Sequence, residues 1–175
     1  MSHKYKTHVG GLYFASFAVM GWIDLFTRAD YADLMLGCLD YCIKNKQLQV
    51  HAYVFMPSHV HLLASMADDQ LLAHVLRDLK SFSAKRLYEL IQTHPQESRR
   101  DWLLYQLAYY GKPAGQHFKL WQDGSHPIGL TDANRAQRCR DYIHQNPVAA
   151  RLVTEAHCYP FSSACPDQPL QLTDL

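Results

Sequence analysis

The run Val54-Phe55-Met56-Pro57-Ser58-His59-Val60-His61-Leu62-Leu63-Ala64 holds two apolar segments divided by a Met-Pro-Ser turn. Strands joined this closely fold back as antiparallel neighbours, here Leu48 to Phe55 and His59 to about Met66. Residues two apart on a strand project from the same surface, so His59 and His61 stand side by side while Val60 packs on the opposite face. Two imidazoles so placed are a ready pair of ligands for a divalent metal. The chain has eleven histidines, and spacing alone leaves open that these two are structural histidines with satisfied rings.

Outward from that run, Gly11 to Met20 is rich in aromatic and β-branched types and reads as a first strand. A helix follows from about Thr27, which is placed to cap it with Asp30 at the capping-box distance. Its apolar residues Tyr31, Leu34, Met35, Cys38, Leu39 and Cys42 recur at helical spacing up to Lys44-Asn45-Lys46. Downstream, Asp69 to Gln92 forms a long amphipathic helix, and Glu97 to Tyr110 is helical until Gly111-Lys112-Pro113-Ala114-Gly115 breaks the pattern. Phe118 to Trp121 is a candidate fourth strand. Thr131 offers a cap for a last helix running to about Asn146, where Pro147 disfavours helical geometry in the residue before it. This order predicts an α+β fold, an antiparallel sheet with helices packed on it, in a single domain over residues 1–175 with a mobile tail after about Cys165.

Composition narrows the class. A length of 175 residues suits one domain with a real core, and 48% hydrophobic with 19% charged residues is ordinary for a globular protein. No apolar stretch reaches the ~18 residues of a membrane span, and Met1 to Lys6 lacks the apolar run of a secretory signal, so the expected location is cytoplasmic. Five cysteines without a CxxC pair fit a reducing compartment; Cys38 and Cys42, four apart on a helix, read as small core residues, the alternative being a metal site shared with a histidine. A net charge of +1 gives no global nucleic-acid signature. Local basic clusters remain: Arg77, Lys80, Lys85 and Arg86; Arg99 and Arg100; Arg135, Arg138 and Arg140. Each also reads as an ordinary solvated helix face.

On the last helix Tyr142 and Asn146 are four residues apart and share a face. Taken with the histidine run, they complete a pattern. Met56 to Leu63, then Asp141-Tyr142-Ile143-His144-Gln145-Asn146-Pro147-Val148-Ala149-Ala150-Arg151-Leu152-Val153, then Tyr159-Pro160-Phe161-Ser162-Ser163 closely resemble the REP-associated tyrosine transposases. These belong to the HUH (histidine, hydrophobic, histidine) single-strand DNA transposases with one catalytic tyrosine. The resemblance implies a ferredoxin-like antiparallel sheet with the tyrosine-bearing helix near the C-terminus lying over the histidine strand. It implies that His59, His61 and Asn146 hold a divalent metal, Mg2+ or Mn2+, and that Tyr142 is the nucleophile.

The chemistry is coherent with such a set. Neutral ligands leave a cation its full charge to polarise a phosphate oxygen, and its proximity favours ionisation of a phenol whose ordinary pKa is ~10. Attack would give a covalent 5′-phosphotyrosine and a free 3′-hydroxyl, and a second strand's hydroxyl can reverse the step. The implied partner is single-stranded DNA near short hairpin-forming repeats, and the implied assembly is a monomer or homodimer. Basic residues Arg77, Lys80, Lys85 and Arg138 are the candidate DNA contacts, with Trp121 either a stacking surface or a core residue.

Two departures bear on the resemblance. Ser58 stands where the family commonly has an amide or carboxylate, and the Glu97 to His117 segment is longer than in its shortest members. Two imidazoles alone lean toward zinc, whereas the family implies magnesium or manganese; manganese suits both arguments. Two other readings compete: a metal phosphodiesterase that uses water, and a non-catalytic nucleic-acid binding module.

Overall fold

A computed structural model of the chain describes residues 7, 9–67 and 71–175. Four strands, β1 (Leu12–Ala18), β2 (Leu48–Met56), β3 (His59–Met66) and β4 (Ile128–Leu130), form one sheet in the order β2-β3-β1-β4. Every neighbouring pair is antiparallel. Helix α1 (Ala29–Lys46) joins β1 to β2; α2 (Leu72–Thr93) and α3 (Arg100–Gly111) lie between β3 and β4; α4 (Ala133–Ala149) follows β4. The βαββαβ order, with β1 between β3 and β4, is ferredoxin-like.

The sheet is buried on both faces, which is why β2 and β3 read as nearly continuous apolar runs. Tyr13, Ala15 and Phe17 of β1 and Val60, Leu62 and Ala64 of β3 face the core shared with α1 and α2. Leu63 of β3 faces the other way, with Ala52, Val54 and Met56 of β2 and Ile143 of α4. In β2 a bulge at His51 breaks the register, since Val50 pairs with Ala64 but Ala52 with Leu63. The extra residue lets Val50 serve the first core and Ala52 the second, which strict alternation would forbid.

Several local expectations are corrected. Thr27 does not cap α1; its hydroxyl donates to the Asp24 carbonyl (2.8 Å) within a 3-10 turn, and the helix begins at Ala29. Asp69, the expected start of the long helix, lies outside the described residues. The cap of α4 is Asp132, whose carboxylate accepts from the Arg135 amide (2.8 Å), rather than Thr131. Pro147 lies inside α4, which continues to Ala149; the lost amide falls in the last turn, and the residue is buried. The segment Phe118 to Trp121 is extended but forms only an isolated bridge from Trp121 to Val19. Its apolar pattern reflects burial: Leu120 and Trp121 enter the core, and the Trp121 indole donates to Ser83 (3.1 Å), which settles Trp121 as a core residue. The fourth strand is instead Ile128–Leu130, paired with β1.

The tail after Cys165 is also packed rather than mobile. Leu170 is 5% exposed, the Thr173 amide donates to the Val50 carbonyl (2.8 Å), and His51 Nδ1 meets the Thr173 carbonyl at 3.0 Å. Its polar composition hid the apolar anchors Leu170 and Leu172 and the backbone bonds that cover the edge of β2. Replacing Leu170 with Ala should therefore cost about 2–3 kcal/mol; urea unfolding measures it, and an unchanged midpoint would mean that the tail contributes nothing.

Candidate active site

His59 and His61 lie on the α4 face of β3, opposite Ala18 and Ser16 of β1. Their rings are 4.8 Å apart between centroids and steeply inclined. Tyr142 reaches them from α4, with its ring 5.4 Å from that of His61. Phe14 of β1 stacks on His61 (5.3 Å) and meets Tyr142 edge-on (6.0 Å). Tyr142 is 52% exposed, so the phenol stands at a rim rather than in the core. It opens on a cavity of about 440 Å³ lined also by Ser16, Arg135, Arg138 and Cys139.

Helical spacing explains this grouping, because Arg135, Arg138 and Cys139, and Tyr142 follow at intervals of three to four along one face of α4. The neighbouring residue Ile143 is wholly buried against β2 and β3 and turns that face toward His61. Asn146 is half-buried one turn beyond Tyr142.

The electrostatics of the pair follow from burial. His61 is 7% exposed, and burial, aided by the charge of His59, pushes its imidazole down to about 4. Burial likewise lowers His59. Both rings are thus neutral at neutral pH and can act as ligands. Ser58 Oγ lies 3.3 Å from His59 Nδ1. His61 Nδ1 is buried with no hydrogen-bond partner. An orphaned buried ring nitrogen beside a second neutral imidazole fits a metal-binding role. Among the described residues no group of three or more His, Cys, Asp or Glu side chains is placed to hold a metal.

The candidate DNA contacts separate into two places. Arg138 is exposed at the Tyr142 cavity. Arg77, Lys80 and Lys85 of α2 line a groove of about 560 Å³ against the 116–124 segment. Lys80 is engaged inside the protein: its ammonium donates to the carbonyls of Gln122 (2.7 Å) and Gly124, and burial lowers it to about 8. Arg77 pairs with Asp78 (2.8 Å) at the surface. Arg135, one of the basic cluster on the last helix, lines the Tyr142 cavity with Arg138, while Phe14, Ser16 and Trp22 carry no signal in the sequence. Strand pairing brings Phe14 and Ser16 to the site, and no local pattern announces it.

The family described as "Transposase IS200 like" matches residues 24–122, more than half of the chain. The chain belongs to this family of IS200-like transposases. The matched region includes both histidines and stops short of Tyr142. Among solved structures, the REP-associated tyrosine transposase bound to a REP hairpin superposes with a TM-score of 0.64 at 17% identity, over 100% of this chain and 95% of that one. A chain from Deinococcus radiodurans described as a candidate transposase gives 0.47 at 20% identity, over 82% and 95%. No curated protein matches the sequence. The fold is therefore that of the REP-associated tyrosine transposase, and among the described residues no helix is long and apolar enough to cross a membrane.

The low value for His61 carries a pH dependence. Its folded value of about 4 lies below the ordinary 6.5, so the unfolded chain takes up the proton first as pH falls. The stability held by the neutral ring is complete above about 6.5 and is lost toward 4. In metal-free buffer this group should remove roughly 2–3 kcal/mol between pH 7 and 4. Urea unfolding over that range, comparing wild type with His61→Gln, isolates the increment as the difference between their pH slopes; parallel slopes would refute it.

Proposed function

We propose that this transposase cleaves and rejoins single-stranded DNA through a covalent bond to Tyr142, in a reaction that depends on a divalent metal held by His59, His61 and Asn146. The observation that carries the reading is the exposed phenol of Tyr142 set 5.4 Å, ring to ring, from the buried, neutral imidazole of His61 in the same chain. A phenol needed only for packing would lie with Ile143 in the core, not at the rim of a cavity flanked by two guanidinium groups.

The roles follow from the chemistry. When bound, Mg2+ or Mn2+ supplies charge that polarises the scissile phosphate and favours the phenolate. His59 and His61 present unprotonated ring nitrogens to it, and the amide of Asn146 is a neutral oxygen ligand one turn from the nucleophile. Tyr142 Oη attacks phosphorus, and the bond from phosphorus to the 3′ oxygen of the upstream nucleotide breaks. The electron pair and a proton go to that oxygen, leaving a 3′-hydroxyl and a 5′-phosphotyrosine. Attack by another 3′-hydroxyl reverses the exchange without ATP. Arg135 and Arg138 are placed to neutralise flanking phosphates. The solved relative holds a REP hairpin, and a hairpin-forming DNA strand is the substrate class we carry to this chain. The proximity of Tyr142 to the histidines of its own chain supports a reaction carried out within one protomer.

Incubation of the wild-type protein with a labelled hairpin-bearing strand in Mn2+ should give a denaturant-resistant protein–DNA adduct, absent with EDTA. Tyr142→Phe should lose adduct and cleavage together, by at least ~10³-fold as for loss of a nucleophile acting with its partners. Cleavage that persists in Tyr142→Phe without adduct would mean water is the nucleophile. Binding that ignores chelation, with no cleavage in either metal, would reduce the chain to a binding module.

A further inference from the structure

Four rings touch in series across the site: Trp22 to His59 (5.7 Å), His59 to His61 (4.8 Å) and His61 to Tyr142 (5.4 Å). Trp22 and Tyr142 thus flank the imidazole pair from its two ends. Trp22 is 62% exposed, the most exposed large apolar side chain after Tyr105 among the described residues. Its backbone is left-handed (φ 55°), directly after left-handed Gly21 (φ 63°), in the 3-10 turn Met20–Trp22. A bulky residue with positive φ is a strained outlier, and such strain gathers where a side chain must be aimed.

The turn is fixed to the site from all sides. The Val19 amide donates to Ser58 (2.8 Å), Met20 to Leu120 (2.8 Å), Trp22 to Val19 (3.1 Å) and Phe26 to Pro57 (2.8 Å). A Cβ at Gly21 would overlap the Tyr110 hydroxyl, so α3 closes on the turn as well. The strain holds a large apolar ring out in solvent, which burial cannot explain.

We infer that Trp22 is a stacking platform for the unpaired base immediately 5′ of the scissile phosphate. The inference rests on the strand-transfer reading above. Displacement at phosphorus puts the leaving oxygen in line with and opposite the attacking one. With Tyr142 at one end of the imidazole pair, the departing 3′ oxygen and its nucleotide lie toward the other end, where Trp22 stands. Base–aromatic stacking there holds the free 3′-hydroxyl strand in place and suits any base. The surface defined by His59 and Trp22 is therefore the upstream half of the site, and the Arg135 and Arg138 side is the downstream half.

The test pairs protein variants with substrates that lack one base. Trp22→Ala should weaken binding of a single-stranded oligonucleotide about tenfold by fluorescence anisotropy, and Trp22→Phe should restore most of it. Removing the base immediately 5′ of the cleaved phosphate should weaken wild type about tenfold and leave Trp22→Ala nearly unchanged; removing the base on the 3′ side should weaken both equally. Trp22→Gly should bind as weakly as Trp22→Ala while its thermal midpoint stays level or rises, because glycine accepts the left-handed backbone. Equal penalties for the missing 5′ base in wild type and Trp22→Ala, with wild-type cleavage intact, would overturn the stacking role and leave the strand-transfer reading standing. A wild-type protein that neither binds nor cleaves single strands would remove both.

Discussion

The seating of Ile143 is the contact on which the site depends. Its side chain is wholly buried among Ala52, Val54, Met56, Leu63 and Tyr159, and burying an isoleucine is worth about 1.5–3 kcal/mol. Successive helical residues are turned by about 100°. With Ile143 directed into the sheet, Tyr142 is carried to the edge, over His61 and Phe14, and Arg138 follows on the same side one turn earlier. A helix rotated by one residue would drive the phenol into that apolar pocket and expose the isoleucine. Packing, with no contribution from the site's polar groups, fixes the azimuth of Tyr142.

The same covering helix governs the histidines. An exposed imidazole pair on an open sheet face would titrate near the ordinary value and spend part of its time protonated. Beneath α4 and beside Phe14, His61 is desolvated and stays neutral, and its Nδ1 has no protein partner. Leaving a buried polar atom unpaired costs roughly 1–3 kcal/mol. An unpaired ring nitrogen beside a second neutral imidazole has the chemistry to accept a divalent cation. The bulge at His51 belongs to the same arrangement, since it lets β2 feed both cores and so keeps α4 seated.

How far the sequence could be read follows from the range of the interactions involved. The paired strands, the histidines on one face, and Tyr142 with Asn146 on one helical face are periodicity at short separation, and they are legible. The caps at Thr27 and Thr131 failed on local competition with Asp24 and Asp132, but the larger misreadings needed partners distant in the chain. Phe118 to Trp121 has strand-like composition, but the backbone bonds that make a strand went to Ile128–Leu130, while Leu120 and Trp121 were taken by the core. Leu170 and Leu172 look like scattered leucines in a polar tail until the edge of β2 is beside them. Lys80 reads as a surface cation, and only the folded loop brings the carbonyls of Gln122 and Gly124 to its ammonium.

Trp22 is the clearest case. Met20-Gly21-Trp22 contains no motif, and its left-handed backbone is imposed by bonds to Leu120 and by the close approach of Tyr110 to Gly21, residues about a hundred positions away. Yet the amides of Val19 and Phe26 on either side donate to Ser58 and Pro57, in the turn that launches His59. The exposed indole and the imidazole pair are therefore mounted on one rigid unit, and their spacing cannot relax independently. Rigid mounting of this kind lowers the cost of ordering a flexible strand on binding, since only the strand and not the protein must lose freedom. That is what an enzyme must do if it is to keep a severed end close enough to be rejoined.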